Sequence, residues 1–374
     1  MQAVVLPIRE RAASVRETRH ITTLVKGQPL AMLSSLSIPS RSRYFPMQTT
    51  FSGMRNSRWG DSPVLDRSGK SKVAVVTEGD IERIFMPLAR YRYLPADYLH
   101  ALTGGSLDYL VNRLAFLARK PNCYVARPQQ QRANASANCR RQIYELSDRG
   151  MRVMHERGLM CQRPRTPTNF AHELMTCQLM ASFELGVRET ANRLIAWGDI
   201  LQSQNLPDAT RRSPKPFHIP VTVTNDGASI PTHVIADGAP FGIARSIGGQ
   251  ATTYFFCPGI EADCGTEPLD ASDFQRSSLF KKFALYLAVD AQSIHRSHFG
   301  FPNLYVPIVT TNAARLSSMM RLLDRITGGA GAKNILFKTF PAFTSPGKPP
   351  PPSGLMLTED WQRVGHPPFN FLTS

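Results

Sequence analysis

The sequence predicts a mixed α/β (α+β) protein with two folded units, and three observations support this fold class. Residues 77–160 have apolar side chains mostly at helical spacing, with two short β-type segments after three helices. From residue 169 to residue 343, strand-type and helical segments alternate, which is typical of a mixed sheet flanked by helices. LIAWGDIL and LYVPIVTTN predict strands, FAHELMTCQLMASFELGVRETA predicts an amphipathic helix, and AARLSSMMRLLDRITGG predicts a helix with a glycine stop. The chain has 374 residues, which is enough for two hydrophobic cores.

Three segments outside these units have the composition of connecting or terminal regions. Residues 1–76 are rich in Arg, Ser and Pro without sustained periodicity, which predicts a basic disordered arm. The sequence CQRPRTPT at residues 161–168 predicts a linker. Residues 344–374 include KPPPPSG and predict an extended Pro-rich tail with one anchoring segment around Trp361.

The first unit opens with three predicted helices. Residues 77–91 form the first, and residues 92–102 form a shorter second helix with Pro95 near its first turn. Ser106 is the expected cap of the third helix, which spans residues 107–120. The apolar stripe of this third helix consists of Leu107, Leu110, Leu114 and Leu117.

The segments after the third helix complete a recognisable layout. CYVARP and QIYELS predict two strands joined by a basic, polar connection, and the helix DRGMRVMHERG follows. Three helices followed by a basic hairpin are typical of a winged helix-turn-helix, in which the third helix enters the major groove of double-stranded DNA. The predicted DNA-binding side chains are Asn112, Arg113, Arg119 and Lys120 on the third helix, and Arg132, Arg140 and Arg141 in the wing. A winged helix used for protein contacts is the alternative.

The charge of the chain is uneven along its length. The formal net charge is +16 at pH 7. Lys plus Arg exceed Asp plus Glu by 15 before Thr166 and by 1 after it. An anionic partner of the N-terminal half is the direct interpretation, and nucleic acid is the simplest such partner. A solvated basic surface without a specific partner is the alternative.

Composition also argues against several classes of protein. The six cysteines form no C-x-x-C pair, so a zinc ribbon has no support, and reduced thiols of a cytoplasmic protein are expected. No G-x-x-x-x-G-K-[ST] sequence is present, which argues against a P-loop nucleotide hydrolase. No apolar run approaches the roughly 18 residues of a membrane span.

The residues that suggest chemistry lie between Thr232 and Asp290. One strand-like segment ends at Asp237, and a second ends at Glu261, with Asp263 two positions later. Alternation along a strand would put Glu261 and Asp263 on one face, where Asp237 could join them. Carboxylate oxygens are the ligands that Mg²⁺ prefers, and one or two of them suffice.

These side chains predict a Mg²⁺ site for phosphodiester cleavage. Asp237, Glu261 and Asp263 are the predicted metal ligands, and Lys281 or Lys282 would stabilise the negative charge that develops on phosphorus. The alternative is purely structural, because Asp237-Gly238 is a good turn pair and residues 263–265 suit another turn.

The same motifs carry a resemblance to a known family. The ADG sequence at Asp237, the strand followed by E-x-D-x-G-T-E from Glu261, and a helix with Lys282 and Tyr286 resemble the replication-relaxation family of plasmid and integrative-element proteins. The segment is also similar to mobilisation relaxases whose catalytic domain is of the restriction-endonuclease type, with a PD-(D/E)xK site. The resemblance covers roughly residues 79–343, and ELSDRG after the wing resembles the N-terminal domain of the family.

The resemblance implies a fold and a function. It implies a winged helix-turn-helix followed by a restriction-endonuclease-like mixed β-sheet domain at residues 169–343, flanked by helices. The implied activity is Mg²⁺-dependent nicking of double-stranded DNA at an origin of transfer or replication, in the cytoplasm of a bacterium. Other mobilisation or replication proteins are the implied partners. A restriction-type defence nuclease is a further alternative.

Two departures from the family pattern bear on activity. Ala236 replaces the usual proline before the first acid, Asp237. Asp263 stands where the lysine of E-x-K is expected, so that either Lys281 or Lys282 takes over its role or the site is inactive. An inactive site would leave a DNA-binding accessory factor or transcriptional regulator.

Overall fold

The computed structural model describes residues 69–133, 142–159, 169–225, 228–247, 250–270, 276–340 and 349–374. Over these ranges the chain is a mixed α/β protein, as the sequence predicts, with strands arranged in four sheets. The predicted arm before residue 69 and the predicted linker at 161–168 lie outside the described residues. No helix of the described ranges is long and apolar enough to cross a lipid bilayer.

Helices dominate the chain up to residue 159. They are α1 (Glu78–Asp80), a π-helical stretch (Ile81–Phe85), α2 (Met86–Tyr91), α3 (Ala96–Thr103), α4 (Leu107–Ala118), α5 (Gln129–Ala133) and α6 (Asp148–Glu156). The strands are β1 (Leu94–Pro95), β2 (Val125–Ala126) and β3 (Ile143–Leu146). They pair antiparallel in the order β1-β3-β2. Thr77, Ser106 and Ser147 cap α1, α4 and α6, because each side chain accepts a backbone N–H at the helix start.

The second predicted helix begins later than its apolar pattern suggests, at Ala96 and not at Arg92. Leu94 and Pro95 pair with β3 instead, and Pro95 is the extended N-cap of α3. The residue before a proline is biased towards extended backbone, so a helix cannot easily run through Leu94.

The second part of the chain has more strands. Its helices are α7 (Phe170–Arg188), α8 (Trp197–Gln202), α9 (Asp208–Arg211), α10 (Leu279–Ala291), α11 (Ile294–Phe299), α12 (Ala313–Ile326) and α13 (Leu355–Thr358). Its strands are β4 (Arg193–Ile195), β5 (Ile219–Asn225), β6 (Ala228–Val234), β7 (Phe241–Ile247), β8 (Gln250–Cys257), β9 (Glu261–Asp263), β10 (Val306–Thr310), β11 (Ile335–Thr339), β12 (Trp361–Arg363) and β13 (His366–Phe369). The strand predicted from LIAWGDIL ends at Ile195, because the Asp199 side chain caps the Ala196 N–H and starts α8.

The helix α7 connects the two parts of the chain. Its residues are buried almost without interruption from Leu174 to Val187, more completely than the predicted amphipathic pattern requires. Its Glu184 accepts hydrogen bonds from Arg90 and Tyr91 of α2. One apolar cluster therefore runs from the first helices through α7 to the C-terminal strands.

The largest sheet has the order β13-β12-β11-β10-β9, with β9, β10 and β11 parallel and the other pairings antiparallel. Ile308 and Phe337 belong to the apolar cluster that contains α10 and α12, whereas Val309 and Leu336 belong to the cluster that contains α7. Glu261 lies opposite Ile308 in the register. Its side chain is therefore on the α10 side of the sheet.

The Pro-rich tail predicted for residues 344–374 needs correction, because residues 355–369 are part of the fold. β12 pairs with β11, β13 pairs with β12, and the Trp361 side chain is fully buried. The anchoring segment expected around Trp361 is thus a sheet strand. The reason is that Trp361, Phe369 and Phe371 complete an aromatic cluster with Phe183 of α7.

Candidate functional site

Asp237 lies close to Glu261 because the loop after β6 packs directly against the loop before β9. β6 ends at Val234, so Asp237 lies in the following loop and not at the strand end expected from its sequence. The Gly238 N–H donates to the Ile260 carbonyl oxygen at 3.0 Å, and the Ala262 N–H donates to Asp237 Oδ2 at 3.0 Å. A Cβ atom added to Gly259 would lie 2.4 Å from the Gly238 oxygen, so this approach requires a glycine.

Lys282 stands among three carboxyl groups. Its Nζ lies 2.9 Å from Glu261 Oε2, 3.1 Å from Glu267 Oε2 and 3.6 Å from Asp237 Oδ2. These four residues are called the acid–lysine cluster below. Of the two lysines that the sequence offers, it is Lys282 that contacts the acids.

The buried end of the cluster is Glu261, which is only 4% exposed. The Tyr286 hydroxyl, one helical turn after Lys282, donates a hydrogen bond to Glu261 Oε1. Burial and the neighbouring charge of Asp237 raise the pKa of Glu261 to about 8, although Lys282 opposes the shift. Glu261 therefore binds a proton more readily than an exposed glutamate does, and it shares its surroundings with the charged Asp237 carboxylate.

Asp237 remains charged beside it. Burial would raise its pKa, but the hydrogen bond from His172 and the charge of Lys282 outweigh burial and hold the pKa of Asp237 well below its usual range. His172 Nε2 lies 3.1 Å from Asp237 Oδ2. The same hydrogen bond raises the pKa of His172, although burial opposes the shift.

Sequence reasoning missed two members of this neighbourhood. His172 lies on α7, 65 positions before Asp237, and no local motif links them. Glu267 belongs to the E-x-D-x-G-T-E string, where its position after the strand gave the only available signal. Contacts of this kind depend on how α7 packs against β9.

Asp263 has different partners from those predicted. Arg315 contacts it through Nε at 3.0 Å and Nη2 at 3.2 Å, and the Thr310 hydroxyl donates to it at 2.8 Å. The carboxylate is 5% exposed. Asp263 is therefore held in a two-pronged ion pair with α12, and the structure does not bring it to Lys282.

The donor atoms of the acid–lysine cluster suit a hard divalent cation. Asp237 and Glu261 offer neighbouring carboxyl oxygens, and Glu267 is a third acid on the same lysine. Within the described ranges, no three or more His, Cys, Asp or Glu side chains are arranged as a ready metal site. Lys282 takes the place between the acids that a metal would need, so loading requires the lysine to move.

The predicted DNA-binding residues fall into three groups. Arg113 is engaged inside the protein, because its guanidinium contacts Asp80 at 2.7 Å and 2.5 Å and the Val75 carbonyl oxygen. Asn112 and Lys120 are exposed at α4, and Arg119 is half-buried at its C-cap. The side chain of Arg132, and all of Arg140 and Arg141, lie outside the described residues.

A cleft of about 480 Å³ opens next to Asp237. The cleft is lined by residues of α2 and α7, by Trp197 of α8, and by residues 214–218 and 235–241. Asp237 is the member of the acid–lysine cluster that belongs to this lining, so the cavity meets the cluster at Asp237.

Comparison with known proteins finds no family model that matches the chain, and no similar curated protein or solved structure. A functional interpretation of the acid–lysine cluster therefore starts from its geometry and charge. The resemblance of its motifs to the relaxases remains a prediction from the sequence.

Proposed function

We propose that this protein is a Mg²⁺-dependent DNA endonuclease of a mobile element, which nicks DNA at an origin of transfer or replication. The observation that carries the proposal is the convergence of Asp237, Glu261 and Lys282, which come from three separate segments of the chain. Two carboxyl groups can hold a metal ion that assists phosphodiester hydrolysis, and a lysine beside them can stabilise the negative charge that develops.

Each residue has a distinct role in this proposal. Asp237 and Glu261 would hold Mg²⁺, which supplies an activated water and polarises a phosphoryl oxygen. Glu261 would hold the metal in its ionised form, with its proton released to water, because a ligand carboxyl must be ionised. Lys282, released from the acids, stabilises the negative charge that develops on the phosphoryl oxygens. Tyr286 and the Ala262 N–H keep Glu261 and Asp237 in place.

In this proposal, the N-terminal part of the chain binds double-stranded DNA. Support comes from the order of elements, in which α1–α2, α3 and α4 precede the strands β2 and β3, and from the basic excess before Thr166. The exposed candidates are Asn112 on α4, for contact with a base edge, and Lys120 just after the end of α4, for contact with a phosphate.

Relaxation of supercoiled plasmid that carries the origin of the element tests the proposal. We expect wild-type protein with Mg²⁺ to convert supercoiled plasmid to open circles, and Glu261→Ala to be inactive. EDTA should stop the reaction. Equal relaxation by wild type and Glu261→Ala would remove Glu261 from the mechanism.

One observation favours a second candidate, a DNA-binding accessory factor or regulator that does not cut. Lys282 already compensates part of the charge of three acids, so the cluster can persist as a structural ion network without metal. Sequence-specific gel shifts at the origin, together with no nicking and no Mg²⁺ binding by calorimetry, would support this candidate over the nuclease.

A further inference from the structure

We propose that the cleft beside Asp237 binds a segment of single-stranded DNA, with a phosphate at Arg92 and an unpaired base against Trp197. The inference rests on the proposed function in one respect only, which is that the bound strand would lead to the acid–lysine cluster. Binding itself is a separate property and can be measured without cleavage.

The first observation is the backbone at Arg92. Its φ of 66° and ψ of −68° define a γ-turn, closed by the hydrogen bond from the Tyr93 N–H to the Tyr91 carbonyl oxygen at 2.8 Å. A positive φ at a residue with a side chain is strained and is often associated with a functional site. The turn directs the chain from α2 into β1 along the wall of the cleft.

The second observation is the guanidinium of Arg92. Its Nε is buried without a hydrogen-bond partner in the described structure. Its nearest ion-pair atom is Glu173 Oε2, 3.5 Å from Nη1, and the group lies 4.8 Å from the centre of the Tyr93 ring. A buried donor without a partner is costly, and an anion in the cleft would satisfy it.

The third observation is a group of apolar and aromatic side chains in the same cleft lining as Arg92. Trp197 and Phe217 pack edge to face, with ring centres 5.9 Å apart, and both line the cleft. Ile235, in the lining two residues before Asp237, is 48% exposed. Flat rings near positively charged side chains are the features on which unpaired bases stack.

The acids that line the cleft have partners of their own. Asp237 contacts His172 and Lys282, and Glu173 faces Arg92. Burial raises the pKa of Glu145, although the charge of Arg92 opposes the shift. Lys215 is an exposed cation of the same lining. The acids of the lining therefore each face a cation, and a phosphate at Arg92 takes the place of the Glu173 carboxylate, whose contact with the guanidinium is long at 3.5 Å.

The size of the cleft determines whether single-stranded or double-stranded DNA can enter it. A volume of about 480 Å³ is that of a small-molecule site. A duplex, whose major groove alone is about 12 Å wide, cannot enter it, whereas a few unpaired nucleotides can. A nicking enzyme exposes such nucleotides when one strand of its site is unpaired.

Tryptophan fluorescence tests the stacking contact. The chain has three tryptophans, and Trp361 is fully buried. In full-length Trp59→Phe protein, we expect a twelve-nucleotide oligo(dT) to quench the emission in EDTA at about 0.2 M salt. Replacing Trp197 by Phe in that background should remove the quenching.

Anisotropy of a fluorescein-labelled oligo(dT) measures affinity on the otherwise unchanged chain. We expect Trp197→Ala to raise Kd by about tenfold, since stacking on one ring is worth about 1–3 kcal/mol per base. Arg92→Gln should raise Kd several-fold and lower the slope of log K against log salt by about 0.7. Tyr254→Ala and Arg325→Ala are the aromatic and charge controls, because both residues lie outside the cleft lining.

Three results would overturn the inference. They are unchanged quenching after loss of Trp197, equal Kd values for Trp197→Ala and Tyr254→Ala, and equal competition by a duplex of the same length. Failure of this inference and failure of the proposed function can be distinguished. If the protein relaxes plasmid but Trp197 has no role in binding, only the single-stranded DNA site is refuted. If oligo(dT) quenches Trp197 but the protein does not relax plasmid, only the proposed nuclease activity is refuted.

Discussion

Glu261 and Asp263 stand at the two ends of the short strand β9, on the same side of the sheet, in different surroundings. Asp263 meets one arginine, Arg315, and one hydroxyl, so a single negative charge faces a single positive charge. Glu261 shares one lysine with Asp237 and Glu267. The first arrangement is balanced and holds α12 to the sheet. The second places three carboxyl groups around one lysine, one of them with a raised affinity for a proton, and a divalent cation could take the place of that proton.

Removing the balanced acid should have the largest effect on stability. Asp263→Ala leaves the Arg315 guanidinium, 15% exposed, without its carboxylate. We expect a loss of about 3–5 kcal/mol in the free energy of unfolding, because one charge of a buried pair remains uncompensated. Urea denaturation followed by circular dichroism measures it. Glu261→Gln is the matched control, and when both variants are compared with wild type at about pH 5, near the ordinary pKa of glutamate, it should change stability by about 1 kcal/mol or less. Equal losses for both variants would contradict the distinction between the two ends of β9.

Removing the lysine of the acid–lysine cluster should lower the rate of DNA cleavage. We expect Lys282→Ala to lower the rate of plasmid relaxation by about 100-fold or more, because it removes the charge placed to stabilise the transition state. Lys281→Ala removes the same charge from the preceding position of α10 and should retain most of the activity. The initial rate of open-circle formation at saturating Mg²⁺ compares them. A larger loss for Lys281→Ala would assign the role to the other lysine.

The pH dependence of stability should also differ between wild type and Glu261→Gln. The pKa of Glu261 is about 8 in the folded protein, against about 4.3 for an unfolded glutamate. Between these values the folded state holds a proton that the unfolded chain has released. The contribution of Glu261 to stability is therefore greatest at low pH and falls as the pH rises towards 8.

We expect the free energy of unfolding of wild type, relative to Glu261→Gln, to fall by up to about 1.4 kcal/mol per pH unit in this window. Urea titrations at pH 5.5 and 7.5 provide the comparison. Parallel curves for the two proteins would show that Glu261 is ionised throughout and would remove the shared proton from the mechanism.

The smallest effect is expected at Arg92, whose backbone strain can be separated from its side chain. Arg92→Gly and Arg92→Ala both delete the guanidinium, but only glycine accepts a φ of 66° without a steric penalty. We expect Arg92→Gly to be more stable than Arg92→Ala by about 1 kcal/mol. Both should lose affinity for single-stranded DNA equally. Equal thermal denaturation midpoints for the two variants would argue against strain at this turn.

Much of the local structure could be predicted from the sequence. The helix at Leu107–Ala118 with its Ser106 cap, the strand at Val306–Thr310 and the helix at Ala313–Ile326 follow from apolar spacing and capping residues. The start of α3 and the end of β4 were placed incorrectly, because sheet pairing at Leu94–Pro95 and a side-chain cap at Asp199 outweigh the local apolar pattern.

The candidate site was predictable only as a set of residues. Asp237, Glu261 and Lys282 stood out as an acid, an acid and a nearby lysine. Arg113 also stood out as a DNA contact, yet it is paired with Asp80. A polar side chain on a helix can face solvent or a buried partner, and the spacing of apolar residues does not distinguish the two.

The sequence by itself determined the segments, the basic charge of the N-terminal half and the candidate acids, because these follow from local pattern and composition. The tertiary structure decided which groups meet: Lys282 among three acids, His172 on Asp237, Arg315 on Asp263, and Arg92 beside an aromatic cleft. The reason is physical. Each of these contacts joins segments far apart in the chain, and only the register of β9 and β10 and the packing of α7 and α10 against them bring those segments together.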